Sequence, residues 1–347
     1  MVKVTNIKYQ EAHFISNDKI FQQCLKYAKS ITPDYEKYIP SNPKQKISFE
    51  LESNVDMANC IRRYLIDEIS VCSMHIDEDD IKTNDRFILS DHLKKNIELI
   101  PFNQDLEHKS LTISLNIENN TDDTIDVYSS DILIKNGEKK LDNSKYFSTT
   151  ISIIKLRSKM SINIDDIKIV CGYGKKDAGK FALLANLSYE ILDVEPLNES
   201  KFNKTGHSSL TSTPKHFKME LTTHRNIDIK KIMPLCCDEI RKKIIKIQTE
   251  ISNIKNTDSL YFSDIIELET IGEFKLFHLK NEYWTISNII SRYCYNAFND
   301  IPFVCSSVSH PSFEESIVKI KHSEPVTILL EALKNIIADI SVIHKAF

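Results

Sequence analysis

The run from Ser53 to Val71, SNVDMANCIRRYLIDEISV, spaces Val55, Ala58, Ile61, Leu65 and Ile69 at steps of three and four, which puts them on one face of a helix. Ser53 with Asp56 three residues on reads as a capping box, and Arg62, Arg63, Asp67 and Glu68 fall off the apolar face. The pattern returns near the end of the chain. ANCIRRY at 58–64 matches SNIISRY at 287–293, so Asn59, Ile61, Arg63 and Tyr64 align with Asn288, Ile290, Arg292 and Tyr293 at a constant offset. A strand-like run precedes each copy, with Ile47, Phe49 and Leu51 alternating in the first and Phe274 to Leu279 in the second; an extended segment with a cysteine follows each, at Val71-Cys72 and Val304-Cys305. Two copies of one unit predict an α+β chain whose halves pack about a pseudo-twofold axis, like an isologous dimer joined in one polypeptide.

Each half also ends in a long apolar seam. Phe217, Met219 and Leu221 alternate as a strand, and a helix is predicted from about Asp228 with Ile240, Ile244, Ile247, Ile251 and Ile254 at heptad spacing. In the second half Ser323 reads as a cap and Pro325 as a first-turn residue, after which Val326, Leu329, Leu333, Ile336, Ile340 and Ile343 step by three and four. Burying one such seam supplies on the order of 10 kcal/mol of gross driving force, so neither half is expected to stand alone. The expected contact between the halves is Val55, Ala58, Ile61, Leu65, Ile240, Ile244, Ile247 and Ile251 against Ile286, Ile290, Leu329, Leu333, Ile336 and Ile340.

Between these elements the period changes. Asp91 reads as the cap of a short helix carrying Leu93, Ile97 and Ile100, which Pro101 ends. Beyond it Leu111, Ile113, Leu115 and Ile117 alternate with polar residues, and Ile132–Ile134, Thr149–Ile154 and Ile162–Val170 are further β-rich runs. The expected division is a discontinuous module of residues 1–102 and 216–256, an inserted mostly-β domain with its polar connector at 103–215, and a second module at 257–347.

Composition narrows the function classes. A net charge of −4 argues against a whole-surface nucleic-acid clamp, and no apolar run is long enough to span a membrane. The eight cysteines are scattered without a C-x-x-C pair, which predicts reduced thiols in an intracellular protein and no metal centre. Gly174 to Lys180, GKKDAGK, matches the start of a phosphate-binding G-x-x-x-x-G-K loop, but Phe181 stands where that loop needs Ser or Thr, and the following residues alternate like a strand. A basic turn used in protein contact is the better reading, with a P-loop-type NTPase as its alternative. A self-assembling helical scaffold is the third reading.

The order of elements resembles a fusion of the two α-like assembly subunits of multisubunit DNA-directed RNA polymerases: archaeal D and L, their eukaryotic counterparts and the N-terminal domain of bacterial alpha. Asn59, Arg62 and Arg63 match the family's A-N-x-L-R-R helix, and Asp91 to Pro101 resembles its segment ending R-L-G-L-I-P. Gly172 to Lys180 resembles G-x-G-K-x-H-A-K, with Asp177 in place of the His, and Ser212 to Phe217 resembles the D-P-x-x-F lead into the returning strand. In the second half YWTISNII at 283–290 resembles H-T-L-G-N-L-L, with Tyr283 and Ser287 as departures, and SHPSF at 309–313 resembles x-H-P-L-x.

The resemblance implies a non-catalytic platform with no catalytic, metal or cofactor residues. It implies that Asn59, Arg62, Arg63, Gly172, Gly174, Lys175, Lys176 and Lys180 meet the second-largest polymerase subunit and that the second half lies nearer the largest. It also implies a small zinc-binding subunit on the first half and no sequence-specific DNA contact. Such fusions resemble those of large cytoplasmic DNA viruses, which implies the host cytoplasm and the virion as locations.

Overall fold

The computed structural model describes residues 2–12, 19–31, 44–103, 110–147, 150–193, 214–223, 225, 227–254, 260–297, 301–310 and 312–347. Much of the polar connector at the end of the expected 103–215 segment lies outside them. The chain opens with β1 (Lys3–Ala12) and α1 (Lys19–Ile31), then β2 (Lys44–Glu52), α2 (Val55–Arg63) and β3 (Ser70–His75). The inserted part holds β4 (Lys82–Thr83), α3 (Ser90–Glu98), β5 (Leu111–Glu118), β6 (Ile125–Tyr128), β7 (Leu133–Asn136), β8 (Lys139–Lys140), β9 (Ser152–Leu156) and β10 (Ser161–Ile164). It returns through β11 (Lys168–Tyr173), α4 (Ala178–Phe181), β12 (Leu184–Ile191), β13 (His216–Thr223) and α5 (Ile229–Ser252). The second half is β14 (Tyr261–Phe262), β15 (Ile266–Ile271), β16 (Phe274–Lys280), α6 (Trp284–Ala297), β17 (Phe303–Val308), β18 (Glu315–Lys321) and α7 (Pro325–Ala346).

Two sheets of equivalent order carry the larger core. One runs β1-β2-β13-β12 and the other β15-β16-β18-β17 beyond the two-residue β14, and every neighbouring pair in both is antiparallel. The alternation that predicts the central strands also sets their faces: Ile47, Phe49 and Leu51 of β2 and Phe217, Met219 and Leu221 of β13 are buried, and their neighbours point outward. One apolar cluster joins both sheets and all four helices α2, α5, α6 and α7. Within it α5 packs along α7 and α2 against α6. The contacts cross reciprocally, since α5 touches β15 and α7 touches β1, with the Phe347 ring edge-on to Phe49 at 4.9 Å.

A second cluster draws on residues 74–167 and is built from the β4-β10-β5-β7-β8 sheet, the β6-β9 pair and α3. It therefore begins ahead of the boundary expected at 103, whereas Leu184–Ile191 pairs with β13 in the first sheet. The β3–β11 ladder connects the two bodies: Val71 of β3 belongs to the larger core and Met74 to the smaller.

Several local expectations are corrected. The cap of α2 is Asn54, whose Oδ1 accepts from Met57 N at 2.7 Å, while Ser53 is buried and Asp56 is engaged elsewhere. The helix ends as a π-turn at Tyr64–Glu68, and Val71 is already strand. Asp91 lies inside the first turn of α3, and α7 starts at Pro325 after Glu324 instead of being capped by Ser323. Residues 3–12, without helical periodicity, add the edge strand β1. The cysteines are not all thiols. Cys72 and Cys171, direct register partners in the β3–β11 ladder, form a disulfide that their separation of 99 residues conceals in the sequence.

Candidate partner-docking surface

The second half of α2 and the loop after β11 are built onto each other. In a π-turn the helical hydrogen-bond ladder slips by one residue and leaves carbonyl oxygens for other donors. Here Lys175 N donates to Asp67 O at 3.2 Å, and Gly174 rests on the carbonyl of Ile66 so closely that a Cβ would stand 2.5 Å from that oxygen. Only glycine permits this approach. Side chains repeat the contact: Lys175 Nζ is 3.3 Å from Glu68 Oε2, and Arg63 Nη2 is 2.8 Å from Asp67 Oδ2. Burial works against the charge on Lys175, but the Glu68 carboxylate outweighs it and holds the amine above its ordinary range. Arg62 donates twice to Asn59 Oδ1, at 3.1 and 2.8 Å, which lays its guanidinium along the helix. The π-turn thus brings Arg63 and Asp67 to Gly174 and Lys175, with Lys176 exposed beside them; Asn59 and Arg62 lie earlier on α2, and Gly172 stays in β11 opposite Val71.

Lys180 does not belong to that exposed surface. It is buried, with Nζ 2.9 Å from Glu98 Oε1 and 3.0 Å from His75 Nδ1. Burial raises the Glu98 carboxyl, but the hydrogen bonds from Lys180 and His75 outweigh that and hold it below its ordinary range. Lys180 therefore pins the end of the loop to α3, and the four-residue α4, capped by Asp177 Oδ1, is too short for a phosphate-binding helix. The P-loop geometry is absent here. Arg225, to which no periodic signal points, finishes the anchor: its buried guanidinium donates to Ala182 O and Lys180 O at 2.6 Å and to Cys72 O at 3.2 Å.

The expected seam residues collect in the larger core. Ala58, Ile61, Leu65, Ile240, Ile244, Ile247, Ile251, Ile286, Ile290, Leu329, Leu333, Ile336 and Ile340 are buried in one cluster, and Val55 packs on its margin. Polar contacts cross it as well. Arg292 Nε of α6 donates to Asp56 Oδ2 of α2 at 2.8 Å, and Cys236 Sγ of α5 lies 3.8 Å from Ile61 O. Glu282, ahead of α6, pairs with Lys243 of α5, and burial pushes its carboxyl up to about 6. Among the described residues no group of three or more His, Cys, Asp or Glu side chains is gathered as for a metal ion, and no helix is long and apolar enough to cross a membrane.

No family model matches the chain. It is similar to the proteins described as DNA-directed RNA polymerase RPB3-11 homolog in two isolates of African swine fever virus, one from a South African tick and one from a Namibian warthog. Each is 26% identical over 306 residues, covering 82% of this chain and 82% of the viral protein.

Proposed function

We propose that this chain is a non-catalytic subunit of a viral DNA-directed RNA polymerase, a platform whose two halves pair internally and on which larger subunits dock. The observation that carries the reading is the similarity to the RPB3-11 homolog, which runs over 82% of both chains. Internal pairing is supported by the two sheets of equivalent order, the α5–α7 and α2–α6 contacts, and the reciprocal reach of α5 to β15 and of α7 to β1. Joining the halves in one polypeptide makes their association intramolecular, at an effective concentration on the order of millimolar, so the platform needs no separate dimerisation step.

In this reading residues 1–102 and 216–256 form the first dimerisation module, 103–215 the insertion and 257–347 the second module, with the insertion's core reaching back to Met74 along β3. The surface of Arg62, Arg63, Gly174, Lys175 and Lys176 meets the second-largest subunit, and the second half lies nearer the largest. A small zinc-binding subunit packs on the first half. The chain works in the host cytoplasm and is carried in the virion. Lys180 acts behind the surface, through the loop it anchors. An NTPase reading loses its phosphate-binding lysine to Glu98, and a homo-oligomeric helical scaffold loses its seams to the interior of the chain.

Affinity capture of the tagged full chain from infected cells, with the co-purifying chains identified by mass spectrometry, tests this. Recovery of two much larger chains in equal stoichiometry is expected, and Arg62→Glu with Arg63→Glu should lower their yield while the bait, losing one helix ion pair, stays folded. Capture of the folded chain without them would overturn the proposal.

A further inference from the structure

The ladder β3–β11 is the neck through which the insertion joins the rest of the molecule, and Cys72 faces Cys171 across it. Its register runs unbroken from Lys168 opposite His75 to Tyr173 opposite Ser70, so backbone pairing holds the strands together with or without the covalent bond. Cys171 is exposed and Cys72 half-buried, which leaves the sulfur pair open to an exchanging thiol from the Cys171 side. The strand ends two residues on, at Tyr173, and gives way to the turn whose Gly174 and Lys175 sit on the π-turn of α2. On the other strand the carbonyl of Cys72 accepts from Arg225, the residue that also holds the far end of that loop at Lys180.

Other thiols lie in a different environment. Cys60, Cys236, Cys237 and Cys294 are buried, and burial pushes the thiols of Cys237 and Cys294 up to about 12. At neutral pH they lack the thiolate that exchange requires. Cys24, exposed on α1, and Cys305, half-buried on β17, stand as free thiols, so among the described residues an internal disulfide forms at the neck alone.

We propose that Cys72 and Cys171 form a reversible thiol–disulfide latch that sets how firmly the Gly172–Lys180 loop is held against α2. Closing uses a small disulfide such as oxidised glutathione. The Cys171 thiolate attacks one of its sulfurs, the glutathione S–S bond breaks, and one glutathione thiolate leaves with a mixed disulfide formed. The Cys72 thiolate then attacks Cys171 Sγ and expels the second glutathione. Two protein thiols lose two protons and two electrons, and one glutathione disulfide becomes two thiols. Opening is the reverse reaction, driven by reduced glutathione. Oxidised, the neck shares the loop's first turn as one covalently closed unit; reduced, that turn is tied only by backbone pairing and by the Lys180 and Arg225 anchors. The exchange chemistry stands independently of the polymerase assignment, and only its consequence for docking rests on that reading.

The test equilibrates the purified full chain in glutathione buffers of graded reduced-to-oxidised ratio, quenches with acid and alkylates. Peptide mapping should find Cys72 linked to Cys171 in a fraction that follows the ratio in both directions, with Cys60, Cys236, Cys237 and Cys294 as thiols throughout. Amide exchange of residues 172–180 should be several-fold slower in the oxidised form. Cys171→Ser should lose that difference and Cys24→Ser should keep it. No crosslink at any ratio, a crosslink that excess thiol cannot reverse in the folded chain, or equal loop protection in both forms would each overturn the latch. None of these outcomes depends on whether polymerase subunits are captured.

Discussion

The two sheets have the same strand order and different surroundings, and the difference lies in what each half does with one helix. In the second half α6 passes through a short connection into β17, and the sheet closes at once. In the first half the chain leaves α2 through the π-turn into β3, builds an entire second core, and only then returns as β12. The aligned arginines follow the same division. Arg63 has Asp67 four residues on and pairs along its own helix. Arg292 has Asn296 at the equivalent place and reaches across to Asp56 of α2. The outward faces differ too. The first sheet is laced by Lys46–Glu220, Lys218–Glu220 and His216–Glu50 pairs, while Phe274 and Phe303 stack edge-on at 5.5 Å on the second, under Lys319. The two sheets thus share an apolar inner face and differ on the outer one, because only the inner face is constrained by packing.

The largest test of this equivalence is at the seam. Ile340→Asp puts a charge into the shared core and should cost about 4 kcal/mol or more, measured by urea unfolding. Ile247→Asp on α5 should cost a similar amount, because both residues lie in the same cluster. A variant as stable as the parent would show that the halves do not share one core.

Next comes the anchor found only in the first half. Lys180→Ala leaves the Glu98 carboxylate without its lysine partner and should lower stability by about 3 kcal/mol. Lys176→Ala, on the exposed part of the same loop, should change it by less than about 0.5 kcal/mol. Equal effects would return Lys180 to the surface.

Ser53 and Glu282 stand at aligned positions ahead of α2 and α6, and both are buried. Burial raises Glu282 from 4.5 to about 6, so the folded chain holds a proton that the unfolded chain releases in this range. The contribution is fully present below the lower value and is lost as pH rises through the higher one, an effect of about 2 kcal/mol. Glu282→Gln should flatten unfolding free energy against pH across that window. An unchanged slope would assign it to other groups.

The smallest effect separates the two arginines. Arg292→Ala should cost about 1 kcal/mol, because its partner lies across the α2–α6 contact and is largely shielded. Arg63→Ala should cost about 0.3 kcal/mol, the value of a pair four residues apart along one helix with a half-exposed arginine. A double-mutant cycle with Asp56→Ala measures the first directly; a coupling near zero would make that contact incidental.

Much of the inner architecture was legible. The seams of α5 and α7, the alternation in β2 and β13 and the recurrence of α2 in α6 all rest on the period of side chains along regular elements. The cluster of Arg62, Arg63 and the 172–180 loop was legible only as two motifs, since nothing local joins a π-turn to a glycine distant in the chain. Lys180 is not legible as a buried cation because its acid, Glu98, belongs to a distant helix, α3. Arg225 and the Cys72–Cys171 pair carried no signal at all.

From its sequence alone this chain determined which faces are apolar and that one short helical motif recurs, because periodicity is local and survives without knowledge of neighbours. The tertiary structure alone decided which charges are buried, which cysteines meet, and where the loop after β11 comes to rest. Those outcomes depend on distances between residues far apart in the chain, which only the packing of the two cores sets.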